Sequence, residues 1–404
     1  MPLYRYKARN RMGEMITGTF QATRKMEVIQ MLKLRDCYPV LIEEQRKGPE
    51  STFAKWFARR ISHRDLAVFC RQFATMVNAG VPILACLDML RKQTENARLR
   101  EKVEELYEEV QKGKSLSLIM GKHNEVFPEL LVNMVEAGEV SGTLDRIMDR
   151  MAVHYEKEYR LNQKVRNALV YPSLIAAVAI LVIMFLVTVV LPTFVSMFQQ
   201  MGAVLPLSTR VLMKLSHFIK DRWLILLTGF IGVLFSVKWY SNTPTGKELF
   251  DKVRLKMPVI GKVNRKVVTV RFARTLGALL SSGIPLLQGI EVTGKVVGNT
   301  VVQRGIKEVE REIKGGRGLA VPLQRLEAFP PMMIHMTKVG EETGTLDYIL
   351  EKAADFYDQE VENSVSRMTT LLEPVIIIVM ATVVAFIVIS IVVPMFEMMT
   401  QFSF

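Results

Sequence analysis

Cysteine is scarce: Cys37, Cys70 and Cys86 are the three in 404 residues. They form no CxxC pair, the count is odd, and none stands at metal-ligand spacing from a histidine. That excludes a disulfide framework and a zinc site, and suits a reducing cytosol. The five histidines, His63, His123, His154, His217 and His335, never fall at metal or catalytic-pair spacing. The N-terminus, MPLYRYKARNRMGE, lacks the apolar run that a signal peptide needs, so the chain is expected to begin inside the cell and to enter a membrane through internal spans. A phosphate-binding loop is missing as well. Gly113-Lys114-Ser115 has Glu108 where a Walker loop requires glycine, and Gly289…Gly294-Lys295 is followed by Val296 instead of the hydroxyl that holds magnesium. With no nucleophile, metal set or phosphate loop, the expectation is a protein that is not an enzyme and carries no cofactor.

What the chain does have is long charge-free stretches. Half of its residues are hydrophobic beside 23% charged, a mixture that suits soluble domains joined to membrane spans. Ala168 to Leu191 carries no charge over about 24 residues, more than the ~20 that a helix needs to cross the hydrocarbon core. Pro374 to Phe396 is equally clean. Trp223 to Val237 is shorter, about 15 residues or ~22 Å of helix. It is flanked by Trp223, Trp239 and Tyr240 as interfacial anchors, with Arg222 and Lys238 able to snorkel. A third span is the reading adopted; a buried core helix is the alternative.

Orientation follows from lysine and arginine beside the spans. Arg160, Lys164 and Arg166 precede the first span, Lys238 opens a basic stretch after the second, and Arg367 precedes the third, whose tail is free of basic residues. The N-terminal part and the segment between spans two and three are therefore expected in the cytoplasm, with the C-terminus outside. Arg210, Lys214, Lys220 and Arg222 in the outer hairpin run against this rule. Val211, Leu212, Leu215, Phe218 and Ile219 recur there at helical spacing, as in a helix lying along the interface.

The most informative feature is a long internal repeat. FCRQFATMVNAGVPIL from Phe69 matches FARTLGALLSSGIPLL from Phe272, and FPELLVNMVEAGEVSGTLD from Phe127 matches FPPMMIHMTKVGEETGTLD from Phe329. Tyr155 and Glu158 map to Tyr357 and Glu360, Pro172 to Pro374, and LPTF at Leu191 to VPMF at Val393. Apolar residues recur with helical period, Leu144, Ile147, Met148, Met151 and Tyr155 in one copy and Leu346, Ile349, Leu350, Ala353 and Tyr357 in the other. Breakers such as Gly80 with Pro82, Gly113 and Phe127-Pro128 divide the segments. The expected fold is an all-α membrane protein, with two repeated cytoplasmic helical bundles, three transmembrane helices and a small N-terminal ββαβ module. The boundaries read as 1–46 for that module, 47–62 linker, 63–167 first bundle, 168–191 first span, 192–221 outer hairpin, 222–240 second span, 241–372 second bundle, 373–396 third span and 397–404 outer tail.

Together, the YRYKA start, both glycine–proline turns, both FP…GE-x-[ST]-G-T-L-D segments and the LPTF and VPMF endings resemble the type II secretion system F family, which includes pilus platform proteins. The resemblance covers nearly the whole chain. It implies an inner-membrane multi-pass protein with two cytoplasmic six-helix domains. Such a protein couples a cytoplasmic hexameric assembly ATPase to the extrusion of pilins or pseudopilins, beside other inner-membrane assembly components and as a homo-oligomer. A transporter or channel subunit is the alternative, against which the absence of charge in the two best spans counts.

The GE segments are the candidate site. Gly138, Glu139, Gly142 and Asp145, with Gly340, Glu341, Gly344 and Asp347, join two helices in each copy. On a structural reading Gly138 and Gly340 end one helix in the left-handed conformation, Thr143 and Thr345 cap the next, and Asp145 and Asp347 favour its positive end. On a functional reading the acidic turns dock the ATPase. Some members of the family are expected to bind calcium in the first bundle, but Thr143 and Ala85-Cys86 offer no carboxylate here, so no metal is expected. The ten Lys/Arg from Lys238 to Arg274 meet anionic membrane lipid or, alternatively, an acidic partner. Nucleic acid is not expected, since no aromatic platform is interleaved.

Overall fold

Strand and helix boundaries fall where turn glycines, prolines and capping side chains place them. The computed structural model describes residues 3–9, 15–21, 25–34, 38–45, 61–200, 207–258 and 260–401. Most of the expected linker, residues 201–206 of the expected hairpin, Cys37 and the last three residues lie outside these. The chain forms two compact units, residues 1–60 with 96–98, and residues 61–95 with 99–404.

In the first unit β1 (Leu3–Arg9) pairs antiparallel with β2 (Met15–Gln21), Leu3 opposite Gln21 and Arg9 opposite Met15. Helix α1 (Lys25–Leu34) follows, and β3 (Tyr38–Gln45) pairs with the other edge of β1, with a bulge between Lys7 and Ala8. The strand order is β2-β1-β3. Val28 and Leu32, one helical turn apart, are buried, as is Ala8.

The second unit is helical throughout its described residues. Helix α2 (His63–Asn78) opens with a capping box in which the Ser62 hydroxyl accepts from the Asp65 amide and the Asp65 carboxylate accepts from the Ser62 amide. Gly80, at φ +79°, turns the chain, and Pro82 precedes α3 (Ile83–Gln93). The first copy continues through α4 (Ala97–Gln111), α5 (Leu116–Gly121) and α6 (Glu129–Ser141) into α7 (Leu144–Phe185). A π-helical turn, Leu186–Val190, links α7 to α8 (Leu191–Gln200). The turn sits just ahead of Pro192, whose ring would crowd the carbonyl four residues back in a regular helix. Helix α9 (Leu207–Ser241) leads to α10 (Pro244–Lys256). The second copy comprises α11 (Ile260–Leu280), α12 (Leu286–Val296), α13 (Thr300–Lys314), α14 (Ala320–Gln324), α15 (Pro331–Thr343) and α16 (Leu346–Gln401).

Equivalent aromatic pairs centre the two cores. Phe69 lies 5.9 Å from Phe127, and Phe272 4.8 Å from Phe329, ring centre to ring centre. The copies also exchange residues. Leu279, Ile284 and Val292 of the second copy belong to the core built on Phe69 and Phe73, while Leu161 of α7 belongs to the one built on Phe272. Two copies that share apolar cores in this way form one packed body.

Helices α7 and α16 run without a break from their bundles into apolar stretches, so bundle and apolar segment are one element in each case. Each holds an 18-residue window of mean hydropathy 3.3, of which 17% and 11% respectively is buried. Ile180, Leu181 and Phe185 on α7, and Ile377, Ile378 and Phe386 on α16, are exposed. Apolar surface on this scale is what insertion into a membrane covers. Along α9, the described apolar side chains between Leu224 and Tyr240 are exposed too, which rules out a buried core helix. At the start of α9 Leu212 is buried with Thr209 and Ser216, apart from the expected interfacial face, of which Val211 and Phe218 are exposed. The Thr209 hydroxyl donates to the Ser390 carbonyl at 2.6 Å, and Leu212 packs with Val187, Leu191 and Ile387.

Candidate functional site

Both GE turns are built alike, and their first glycines do something other than expected. Gly138 and Gly340 are buried inside α6 and α15. A Cβ on Gly138 would stand 3.0 Å from Ile147 Cγ1 and 3.1 Å from Leu144 Cα, and one on Gly340 3.0 Å from Leu346 Cα. They let the next helix cross closely. The left-handed position falls four residues later, at Gly142 (φ +70°) and Gly344 (φ +69°), which end the helices because L-residues resist that conformation. The threonines also depart from expectation. Thr143 holds the N-cap position of α7 without a capping bond from its side chain. Its hydroxyl pairs with Ser141 at 2.7 Å, as Thr345 does with Thr343. Asp145 and Asp347 lie in the first turns of α7 and α16, at the positive helix ends.

The glutamates reach backwards. The Glu139 carboxylate accepts from the amides of Leu116 (2.6 Å) and Ser117 (3.0 Å) and from the Ser117 hydroxyl (2.5 Å). Glu341 accepts from the amides of Leu319 and Ala320. Each carboxylate therefore supplies acceptors to amides that the first turn of α5 or α14 leaves open. The same positions in each repeat feed this bond: Gly113 (φ +87°) and Gly316 (φ +85°) turn the chain just ahead of the receiving helix. Glu139 and Glu341 are internal braces, and the outward face of each turn is made by Val140 and Ser141, or by Glu342 and Thr343.

A polar seam joins the copies. Lys157 donates to Asp355 and Lys164 to Glu362, each at 2.7 Å, and Lys295 to Glu129 at 2.6 Å. At its centre Glu158, 7% exposed, accepts from Arg271 Nε at 2.8 Å, and Arg271 also donates to Asn162 at 3.1 Å. Burial alone would raise the Glu158 pKa; the Arg271 guanidinium outweighs it and holds the carboxyl below its usual range. The basic run is thereby divided. Lys266 pairs with Glu360, and Arg271 and Arg274 turn inward, leaving Lys238, Lys247, Lys252, Arg254, Lys256 and Lys262 exposed.

Sequence spacing gave no sign of a histidine cluster, yet the fold gathers one. His63 stacks on Tyr155 at 6.2 Å, and His154 meets the same ring edge-on at 5.3 Å. Burial lowers the pKa of both, that of His154 to about 4, so both are neutral at pH 7. His63 and His154 are 91 residues apart, and only the Tyr155 face of α7, which looks at α2, could have hinted at it. Cys70 and Cys86 are buried free thiols, and burial pushes the Cys70 thiol well up, away from the reactive thiolate. The glycines of the false phosphate loop, Gly289 and Gly294, are packing positions facing Leu276 and Ile306 at 3.1 Å.

Comparison with known proteins agrees with this doubled architecture. The pattern of type II secretion system (T2SS), protein F matches residues 69–192 and again 272–394, and that of its N-terminal domain matches residues 1–43. The type IV pilus assembly protein PilC of Thermus thermophilus is 38% identical over the full length of both chains. That of Myxococcus xanthus is 36% identical over 97% of this chain and 94% of its own. The type II secretion system protein F of Vibrio cholerae is 35% identical over 98% of each. Two matched copies, on the two halves whose GE turns and aromatic cores coincide, and relatives aligned end to end leave one assignment: the chain belongs to the type II secretion system protein F family.

Proposed function

We propose that this protein is the inner-membrane platform of a type IV pilus or type II secretion machine, passing movement from a cytoplasmic hexameric assembly ATPase to pilins or pseudopilins without doing chemistry itself. The observation that carries the reading is the repeat: two bundles packed as one body, each continuing as a single helix into an apolar stretch. Such a helix transmits rotation and displacement, because its backbone bonds all lie within it.

Topology follows by parity. The two copies share their cores, so they lie on one side of the membrane. If α7 carries the chain out, a return crossing must precede α11, and α9 is the apolar helix between them. From Trp223 to Ser241 it has about 19 residues, or ~28 Å, close to the ~30 Å hydrocarbon thickness. Lysine and arginine beside the spans put both bundles in the cytoplasm and the C-terminus outside. The exposed Lys238, Lys247, Lys252, Arg254, Lys256 and Lys262 then meet anionic lipid at the cytoplasmic face.

The two GE turns, Gly138–Asp145 and Gly340–Asp347, are the proposed docking ends for the ATPase. Their glycines and glutamates fix the turn from inside, and Asp145 and Asp347, half-exposed, supply charge. Asp145→Lys with Asp347→Lys should lower co-purification with the assembly ATPase and reduce piliation or secretion while membrane insertion stays normal. Wild-type assembly in the double variant would remove the docking role.

A further inference from the structure

The seam between the copies covers one face of each, and the matching faces of the other copy lie open. Leu130 and His154 of the first copy line a cavity where they meet Arg271, Thr275 and Val296 of the second. They are 1% and 5% exposed, whereas Met332 and Phe356, which hold the same places in the second copy, are 51% and 44% exposed. The places are built alike: Phe356 meets Tyr357 edge-on at 5.1 Å, as His154 meets Tyr155 at 5.3 Å. The reverse holds on the other side of the seam. Val292 is 3% exposed in the core of Phe69 and Phe73, and Met89, its counterpart in the first copy, is 47% exposed. Val68, the counterpart of Arg271, is exposed too. A contact between like faces would bury both members of each pair. The copies therefore meet head to tail, and a contact of that kind leaves a complementary face free at either end.

The free faces keep the features of the pair already joined. Val68, Arg71, Gln72, Glu156 and Arg160 line a groove of about 360 Å³ between α2 and α7. Arg271, Arg274, Thr275, Asp358 and Glu362 stand at those places in the second copy, where they receive α7 of the first. Lys92 pairs with Asp88 one turn back, as Lys295 does with Glu291. Lys295 also takes Glu129, whose counterpart in the second copy is Pro331. Transferred to two molecules, the bond of Arg150 to Ser281 becomes Lys352 to Asn78, and that of Lys164 to Glu362 becomes Ser366 to Arg160. Neither sets like charges together. Direction permits the contact as well. Lys157 pairs with Asp355 and Lys164 with Glu362, both 198 positions apart, so α7 and α16 run parallel. Repeating the step brings the apolar helices of every chain out on the same side.

We propose that a second copy of this chain docks here, the Met332–Phe356 face of one molecule on the Val68–Met89 face of the next, by the step that joins the bundles within a chain. Exposed apolar side chains on both faces are what such a contact covers. Repeated, the step builds a ring if its rotation closes, with two bundles from each chain.

The test uses the full-length chain in detergent micelles. Two differently tagged chains, one carrying Pro331→Cys and the other Lys92→Cys, are co-expressed and treated with a short bismaleimide; the unsubstituted chain, whose Cys70 and Cys86 are buried, is the background. A link between the two tags is expected, and none between two molecules of one variant. Linking within one variant means that like faces meet, and overturns the proposal, as does the absence of any link. Self-association, read by mass photometry, should weaken roughly tenfold or more in Phe356→Glu with Met89→Glu. Tm should not change, because both side chains are exposed already. Pro331→Glu places in the second copy the residue that the first has there, and should strengthen association a few-fold through Lys92. Adding Lys92→Glu should cancel that gain. A monomer at every concentration gives these faces to another protein and overturns the proposal, as does association that none of the substitutions alters. The readout needs neither ATPase nor pilin, so its failure would leave the platform reading standing.

Discussion

At the scale of single residues, each GE turn is closed by one carboxylate, and its worth can be measured. Glu139→Ala leaves the Leu116 and Ser117 amides without the acceptor they now share. Charged hydrogen bonds of this kind contribute about 1.5–3 kcal/mol, so Tm should fall clearly, and Glu341→Ala should do the same to α14. Unchanged Tm in both would mean that water serves these amides as well. Gly142→Ala, which forces a Cβ into the left-handed region, should cost about 1 kcal/mol. The sequence motif marked these turns but misassigned their parts: GExSGTLD contains two glycines, and only the packing of α7 against α6 says which is pressed and which is twisted. Glu139 reads as a docking acid because its partners lie 22 and 23 positions earlier, beyond any local pattern. His154 adds a pH dependence. Its pKa is about 4 in the fold against ~6.5 in an open chain. Above pH 6.5 it is neutral in both and its contribution is complete. As pH falls towards 4 the unfolded chain takes up a proton that the fold refuses, and about 3 kcal/mol is lost. Wild-type Tm should therefore drop between pH 7 and 5, and His154→Phe should drop less; parallel slopes would show that His154 does not stay neutral.

At the scale of elements, the long helices were legible because their charge-free runs are unmistakable, and the bundle helices because glycine and proline punctuate them in both copies. The continuity of α7 was not. The boundary expected at residue 168 would mark a change of solvent, from water to lipid, and the backbone takes no notice of it. Glu158 and Leu161 face the second copy, and Val187 and Leu191, further along, face Ile387 of α16. That phase relation is what a relay requires. Each inserted residue rotates everything beyond it by about 100°. Two alanines between Asn167 and Ala168 turn the apolar half by ~200°, seven by ~700°, within ~20° of two full turns. Piliation or secretion should be lost with two and retained in good part with seven. Equal loss in both would make helix length the critical quantity and set the phase argument aside.

At the scale of the whole molecule, the packing of one copy on the other decides where the membrane can be. Leu279 and Ile284 could not join Phe69 in one core if the bundles lay on opposite faces of a bilayer, so an even number of crossings must separate them. In the proposed topology α7 supplies one and α9 the other, although its apolar run is the shortest of the three. Lys338 in the second bundle is exposed and tests this without disturbing the core. In intact cells, Lys338→Cys should resist a membrane-impermeant maleimide, as should Val140→Cys in the first bundle. Arginine near the centre of a span costs about 2.5–3.5 kcal/mol, so Ile231→Arg with Leu234→Arg should stop α9 from crossing. The second bundle would then be stranded outside, Lys338→Cys would become labelled while Val140→Cys stayed protected, and the shared core would be torn apart. Labelling of Lys338→Cys in the unaltered background, whether Val140→Cys is labelled with it or stays protected, would take the second bundle out of the cytoplasm and end the platform reading.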